Sequence, residues 1–147
     1  MTDILIREAL VIDIPAIMSI ETGAFSAPWP EKLLRDFIEH SDRLCLVASV
    51  GDEIVGYLNA MFALDEYHIG SLAVKPEQRR HGIGGALVRE LIKYARTSDA
   101  KYIFLEARES NAAARALYAG YGFEEVSKRR NYYESPPEDA ILMTLYL

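Results

Sequence analysis

Val74-Lys75-Pro76-Glu77-Gln78-Arg79-Arg80-His81-Gly82-Ile83-Gly84-Gly85 lies between a strand-like run and the most regular helical stretch of the chain. Upstream, Tyr67 to Val74 reads as a strand closed by Pro76. Downstream, Gly82 to Arg96 places Ile83, Leu87, Val88, Leu91, Ile92 and Ala95 at helical spacing, with Arg89, Glu90 and Lys93 on the other face. Glycines at 82, 84 and 85 let the backbone approach a ligand closely, and the first-turn N–H groups of a helix have no internal acceptors. The segment therefore predicts an anion cradle. It is not the dinucleotide fingerprint, because the third glycine of G-x-G-x-x-G would fall on Leu87, and no Gly-Lys-Ser/Thr is present for a nucleotide phosphate loop. By spacing alone, the plain alternative is a glycine-rich turn with exposed arginines.

Working outward, Ile4 to Ala9 alternates as a strand, and Asp13 offers an N-cap before Pro15, with Ile14, Ile17, Met18 and Glu21 at helical spacing. Pro28-Trp29-Pro30 interrupts, and Glu31 to Glu39 resumes a helix with Pro30 in its first turn. Leu44 to Val50 and Ile54 to Phe62 should pair as a hairpin across Gly51-Asp52. Beyond the central helix, Tyr102 to Leu105 is a strand ending in Glu106, and Asn111 can cap a helix through Tyr121 that Gly122 terminates. Phe123 to Arg129 and Ala140 to Tyr146 are read as final strands joined by a loop holding Ser135-Pro136-Pro137. Strand–helix–strand connections call for some parallel pairing, hence an α/β domain with a mixed sheet and helices on both faces. No repeat or linker divides the chain, and residues 1–147 are read as one domain.

Of the 147 residues half are apolar, enough for a real core, and the formal net charge of −6 argues against a protein whose main task is wrapping nucleic acid. No apolar run approaches the roughly 20 residues that span a bilayer, and Met1-Thr2-Asp3 lacks the basic and apolar stretches of a signal peptide. A cytoplasmic protein with no membrane partner is expected. Cys45 is the single cysteine and sits in an apolar strand, where it reads as a packed thiol rather than a nucleophile. His40, His68 and His81 show no spacing of the kind zinc sites use, so no metal is expected.

Arg79-Arg80-His81-Gly82-Ile83-Gly84 fits the [RQ]-x-x-G-x-[GA] signature, and the chain resembles the GNAT superfamily of N-acetyltransferases. Leu105-Glu106-Ala107-Arg108-Glu109-Ser110-Asn111, then Leu117-Tyr118 and Gly122-Phe123, resemble the second half of that family. Ile20-Glu21, Ala27-Pro28-Trp29, Arg129-Arg130-Asn131-Tyr132-Tyr133 and Glu138-Asp139-Ala140 are similar to its RimI-like subgroup, which acetylates the N-terminal alanine of ribosomal proteins. The resemblance spans nearly the whole chain. It implies a single GNAT-type domain, with a mostly antiparallel sheet of about seven strands and about four helices, using acetyl-CoA on a protein N-terminus.

It also implies roles. The strand ending at Val74 would diverge from the next, and backbone groups of Leu72, Ala73 and Val74 would hold the acetyl group and pantetheine arm. Amides of Arg80, His81, Gly82, Ile83, Gly84 and Gly85 would hold the pyrophosphate, with positive charge from Arg79 and Arg80. Glu106, which the residues alone leave as either a solvated strand terminus or a positioned base, matches the proton acceptor. Asn111 can cap its helix and also bond the pantetheine chain. Tyr118, close to two turns later, matches the proton donor to the departing thiolate in direct transfer without an acyl-enzyme. Glu21, Trp29 and one of Tyr132 or Tyr133 would line the peptide groove. An α-amino group has a pKa of about 7.7 to 8.0 against about 10.4 for lysine, so a modest carboxylate suits N-terminal substrates. Pro30, where the subgroup often has a Ser or Thr cap, and Gly85, where it often has Arg, are departures. Rival readings are N-terminal acetylation of many proteins, acetylation of a small amine, and a noncatalytic acyl-CoA-binding module.

Overall fold

The computed structural model describes residues 3–24, 29–40 and 42–147. The elements run β1 (Ile4–Glu8), α1 (Ile14–Ala24), α2 (Glu31–Glu39), β2 (Arg43–Val50), β3 (Glu53–Ala63), β4 (Glu66–Val74), α3 (Ile83–Thr97), β5 (Tyr102–Arg108), α4 (Ala112–Gly120), β6 (Glu124–Glu134) and β7 (Pro137–Tyr146). Short 3-10 turns at Val11–Asp13 and Pro76–Gln78 precede α1 and α3. One seven-stranded sheet has the order β1-β2-β3-β4-β5-β7-β6. Neighbours are antiparallel except β4 and β5. This is the mixed sheet that the element order predicts and the mostly antiparallel, seven-stranded one that the family resemblance implies.

The apolar stripe of α3 buries Leu87, Val88, Leu91 and Ala95 completely against one face of the sheet, where they meet Leu46, Leu58, Ile103 and Met143. Each fully buried Leu, Ile or Met side chain is worth about 1.5–3 kcal/mol over an exposed one. Tyr118 and Phe123, at the two ends of the turn after α4, close the same core. On the other face α1 and α2 cover Cys45, Val47, Tyr57 and Ala73 with Ile17, Ile20 and Leu34.

The β2–β3 hairpin forms across Gly51-Asp52, with Val50 opposite Glu53 and Gly51 at φ +63°. Four details differ from expectation. The Asp13 carboxylate is turned back from α1: it accepts from the Leu10 backbone N–H at 2.8 Å and pairs bidentately with Arg7 at 2.7 and 2.9 Å. Pro30 is the N-cap of α2 rather than a first-turn residue, its carbonyl accepting from Leu33 and Leu34. Glu106 lies inside β5, because pairing with β7 carries that strand on to Arg108. The last hairpin is longer than its apolar runs: β6 reaches Glu134 and β7 starts at Pro137, leaving Ser135-Pro136 as the turn. Polar residues extend both strands there because backbone pairing, not burial, holds them.

Candidate active site

β4 and β5 pair only over Glu66–Tyr102, Tyr67–Ile103 and His68–Phe104 and then separate. Beyond that point each strand keeps its other neighbour, β4 with β3 to Val74 and β5 with β7 to Arg108. The facing edges of β4 and β5 therefore carry backbone donors and acceptors outside the ladder, at the mouth of a cleft of about 470 Å³. A β-bulge at Gly70, which lies between Ser71 opposite Asn59 and Ile69 opposite Ala60, re-aims β4 at this place. Gly70 lets the Trp29 indole pack closely, since a Cβ there would lie 3.1 Å from that ring and push it back by a few tenths of an ångström.

After β4 the chain makes its 3-10 turn and enters α3 through Arg80 at φ +65° and Gly82 at φ +80°, Gly82 being the N-cap. The first backbone bond into the helix runs from the Ala86 N–H to the Gly82 carbonyl, so the amides of Ile83, Gly84 and Gly85 are left as donors at a positive helix end. The Ile83 side chain is buried under Gly56, which leaves its amide for a ligand. Gly85 has a close neighbour: an added Cβ would come within 2.5 Å of the Tyr121 hydroxyl, so an arginine at that position would require the Tyr121 ring to shift. Arg80 and His81 are exposed beside this end, while the Arg79 guanidinium donates to the Val74 carbonyl at 3.2 Å. A second, smaller cavity between α1 and this loop is lined by Val74, Lys75 and Arg79. A strand-like slot leading to a basic helix start fits a pantetheine diphosphate, amide groups against the free strand edges and phosphates against the α3 amides.

The cleft brings together Glu21, Trp29, Leu72, Glu106, Asn111, Tyr118 and Tyr133 from five elements and two loops. Glu106 is 7% exposed at its side chain, with His68 Nε2 2.6 Å from Oε2 and the Arg129 guanidinium 3.9 Å from Oε1. Asn111 caps α4, its side-chain oxygen accepting from the Ala114 N–H at 3.1 Å. Tyr118, whose ring makes an edge-type contact with Phe123 at 5.3 Å, is buried, and burial pushes its phenol above the ordinary value. Glu21 is fully buried; the Tyr57 hydroxyl donates to it at 2.5 Å, and desolvation raises its carboxyl despite that bond. Trp29 packs on Phe37 at 4.8 Å.

Of the adjacent tyrosines, Tyr133 lines the cleft with the Arg108 guanidinium 4.3 Å over its ring, and burial raises its phenol to about 12. Tyr132 is turned outward against Arg129 and packs edge-on to Tyr133 at 4.9 Å. The side chain of Ala73 packs into the core under α1 and α2 and that of Val74 against the α3-side core, and neither lines the larger cleft. Phe25, Ala27 and Pro28 lie outside the described residues. Sequence reading missed His68 and Arg129 as neighbours of Glu106. His68 is brought to Glu106 by the parallel register, 38 positions apart, and no local pattern carries that information. Among the described residues, no three or more His, Cys, Asp or Glu are grouped to hold a metal, and no helix is long and apolar enough to cross a membrane.

Comparison with known proteins agrees with this geometry. Residues 14–123 match the model of the acetyltransferase (GNAT) family. The chain is 39% identical over 136 residues, 90% of each chain, to the ribosomal protein bS18-alanine N-acetyltransferase of Salmonella typhimurium. The crystal structure of the Escherichia coli ribosomal-protein-S18-alanine N-acetyltransferase superposes with a TM-score of 0.90 at 34% identity, covering 98% of this chain and 94% of that one. Arabidopsis thaliana NAA60 in complex with acetyl-CoA shares the fold at a TM-score of 0.92 and 19% identity, covering 99% of this chain and 100% of that one. The splayed β4–β5 pair, the glycine-rich entry to α3 and these matches together establish that the chain belongs to the GNAT family, as an acetyl-CoA-dependent N-acetyltransferase.

Proposed function

We propose that the protein, acting in the cytoplasm as one domain over residues 1–147, acetylates the N-terminal α-amine of a protein, with a small-subunit ribosomal protein beginning in Ala as its target. The observation that carries this reading is the convergence of Glu106 and Tyr118 on one cleft at the β4–β5 divergence. The relatives' printed substrate supports the choice of target.

Bound acetyl-CoA supplies the acetyl group as a thioester. The residues present fit it: strand edges at Leu72, Ala73 and Val74 and the side chain of Asn111 for the pantetheine arm, and the amides from Arg80 to Gly85 with Arg79 and Arg80 for the diphosphate. Glu106 takes the proton of the incoming amine at its carboxylate, directly or through water. A carboxylate at one wall suffices because an α-amine is about half deprotonated near pH 8, whereas a lysine amine holds its proton to about 10.4. Tyr118, kept neutral by burial, directs its O–H at the sulfur that departs. Glu21, Trp29 and Tyr133 form the walls for the peptide, with Tyr132 at the outer rim.

Glu106→Gln tests the assignment. Turnover of an Ala-starting peptide, read as CoA release, should fall by about 10²-fold or more, while calorimetric CoA affinity stays within a factor of two of the parent, roughly 0.4 kcal/mol. Full turnover in this variant would remove Glu106 from the chemistry. Tight CoA binding by the parent with no turnover on any amine would return the protein to the class of noncatalytic acyl-CoA binders.

A further inference from the structure

Glu138-Asp139-Ala140 takes no part in acetyl transfer, yet it stands where the last hairpin leaves the sheet. The β5–β7 ladder ends at Arg108 opposite Ala140, so Asp139, Glu138 and the chain back to the Ser135-Pro136 turn project past β5. β6 is the outer strand of the sheet beside β7 and is exposed at nearly every position. Burial therefore does little to orient the hairpin tip. Its register is also irregular between Arg129 and Tyr133, where Asn131 sits at φ +53°.

Polar bonds take over that task. The Glu138 side chain, 19% exposed, reaches two groups of the β5–α4 corner: Oε1 lies 3.2 Å from the Arg108 guanidinium, and Oε2 accepts from the Ser110 backbone N–H at 2.6 Å. Arg108 carries the contacts on to the tip, donating to the Pro136 carbonyl at 2.9 Å and the Ser135 carbonyl at 3.2 Å, with its guanidinium 4.3 Å over the Tyr133 ring. The Asp139 carbonyl accepts from the Glu109 N–H at 3.1 Å, and its carboxylate from the Asn131 N–H at 2.8 Å. The groups so tied are walls of the cleft: Arg108, Tyr133, Ser135 and Pro136 line it, as does Asn111, the residue after Ser110. A carboxylate engaged at both oxygens fixes how far apart the two sides stand, whereas a neutral amide offers one acceptor and turns a donor toward the other side.

We propose that Glu138 is a positioning residue for the protein substrate: by joining Arg108 to the Ser110 amide it sets the separation of the hairpin wall from the β5–α4 corner, and so the groove that takes the residues following the acetylated one. This rests on the reading of the protein as an acetyltransferase of protein N-termini. Glu106 is held apart from this clamp in the β5–β7 ladder opposite Leu142, Tyr118 is packed in the core, and Asn111 has its own cap bond to Ala114. Loss of Glu138 thus falls on the peptide chain and spares the coenzyme and the reacting amine.

Glu138→Ala removes both bonds, and Glu138→Gln keeps one acceptor while presenting an NH2 group to the other donor. Both are assayed beside the parent for CoA release from acetyl-CoA, with an Ala-starting peptide and with alaninamide, which has the same amine and no chain beyond it. Calorimetry reads CoA affinity, and urea unfolding reads the fold. In Glu138→Ala the KM for the peptide should rise about tenfold, the scale of one hydrogen bond to a charged group. Its kcat, CoA affinity and kcat/KM for alaninamide should stay within about twofold of the parent, the pattern of lost uniform binding. Glu138→Gln should fall between the two. A folded Glu138→Ala enzyme with the parent's peptide KM overturns the proposal. So does a loss shared equally by peptide and alaninamide, or a fall in CoA affinity, since either marks a disturbance of the whole cleft. Should Glu138→Ala not fold, Glu138→Gln decides alone. A parent that uses the peptide no better than alaninamide overturns the peptide-substrate reading, and the positioning role with it.

Discussion

Tyr118→Phe separates chemistry from packing more cleanly than any other change in the site. The ring sits 5% exposed in the core and meets Phe123 edge-on at 5.3 Å and 63°, contacts that a phenyl ring retains. The only atom removed is the hydroxyl, and no described residue hydrogen-bonds to it, so no partner is orphaned and stability should move by less than about 1 kcal/mol. The effect on rate is set by the phenol's acidity. Burial lifts it above its usual value near 10, whereas a thiol titrates near 8.5, so full proton transfer to the departing sulfur is uphill and the hydroxyl acts mainly by hydrogen bonding to developing charge. That places the loss at the low end for a general acid, about 10²-fold in kcat, or ~2.7 kcal/mol of transition-state stabilisation. Steady-state CoA release and urea unfolding on the same preparation test both halves. Undiminished kcat with unchanged stability refutes the donor role; a large loss of stability refutes the claim that the hydroxyl is unpartnered.

Two further outcomes follow from groups outside the chemistry. In Asp13→Ala the Arg7 pair and the Leu10 N–H acceptor are lost together; because Arg7 is nearly half exposed, the cost is discounted to ~1–2 kcal/mol at pH 7, about 2–6 °C in Tm. The Arg7 bond holds the Asp13 carboxyl below its unfolded value of about 3.9, so this stabilisation is complete above that value and lost as pH falls through the lower folded one; unfolding curves of parent and variant should converge below about pH 4, and a gap independent of pH contradicts the assignment. Cys45 is 4% exposed, with its thiol raised to about 12 by burial, so iodoacetamide at pH 8 should leave native protein unlabelled and fully active; rapid native alkylation with loss of turnover would show the thiol to be reachable.

The parts of the fold visible in the sequence are those set by neighbours in the chain. The α3 stripe, the two-residue turn at Gly51-Asp52 and the Asn111 cap each depend on residues within a turn or two of one another, and each forms as expected. Strand ends were less legible: the polar tips of β6 and β7 are held by their mutual ladder and carry no apolar alternation. At the site, the glycine-rich entry to α3 announces itself, and the family resemblance points to Glu106, Asn111 and Tyr118. What distinguishes Tyr133 from Tyr132 is an irregularity in the β6–β7 register between Arg129 and Tyr133, which no alternation rule anticipates. Glu21 reads as a surface residue by itself and is fully buried because Tyr57, 36 positions away, meets its carboxylate. The His68–Glu106 contact depends on how two parallel strands slide past one another, a quantity fixed only by the assembled sheet.

The three-pair join between β4 and β5 divides the sheet into a four-stranded and a three-stranded panel that share only a short seam of backbone bonds. A coenzyme laid along the open part would act as a lace between the panels, supplying amide partners that the chain itself does not. At a concentration a hundred times its Kd such a ligand stabilises by about 2.7 kcal/mol. That gain should be written most strongly in slowed amide exchange along Ile69–Val74 and Leu105–Arg108, the two borders it stitches, and least at β1, the far hem of the sheet.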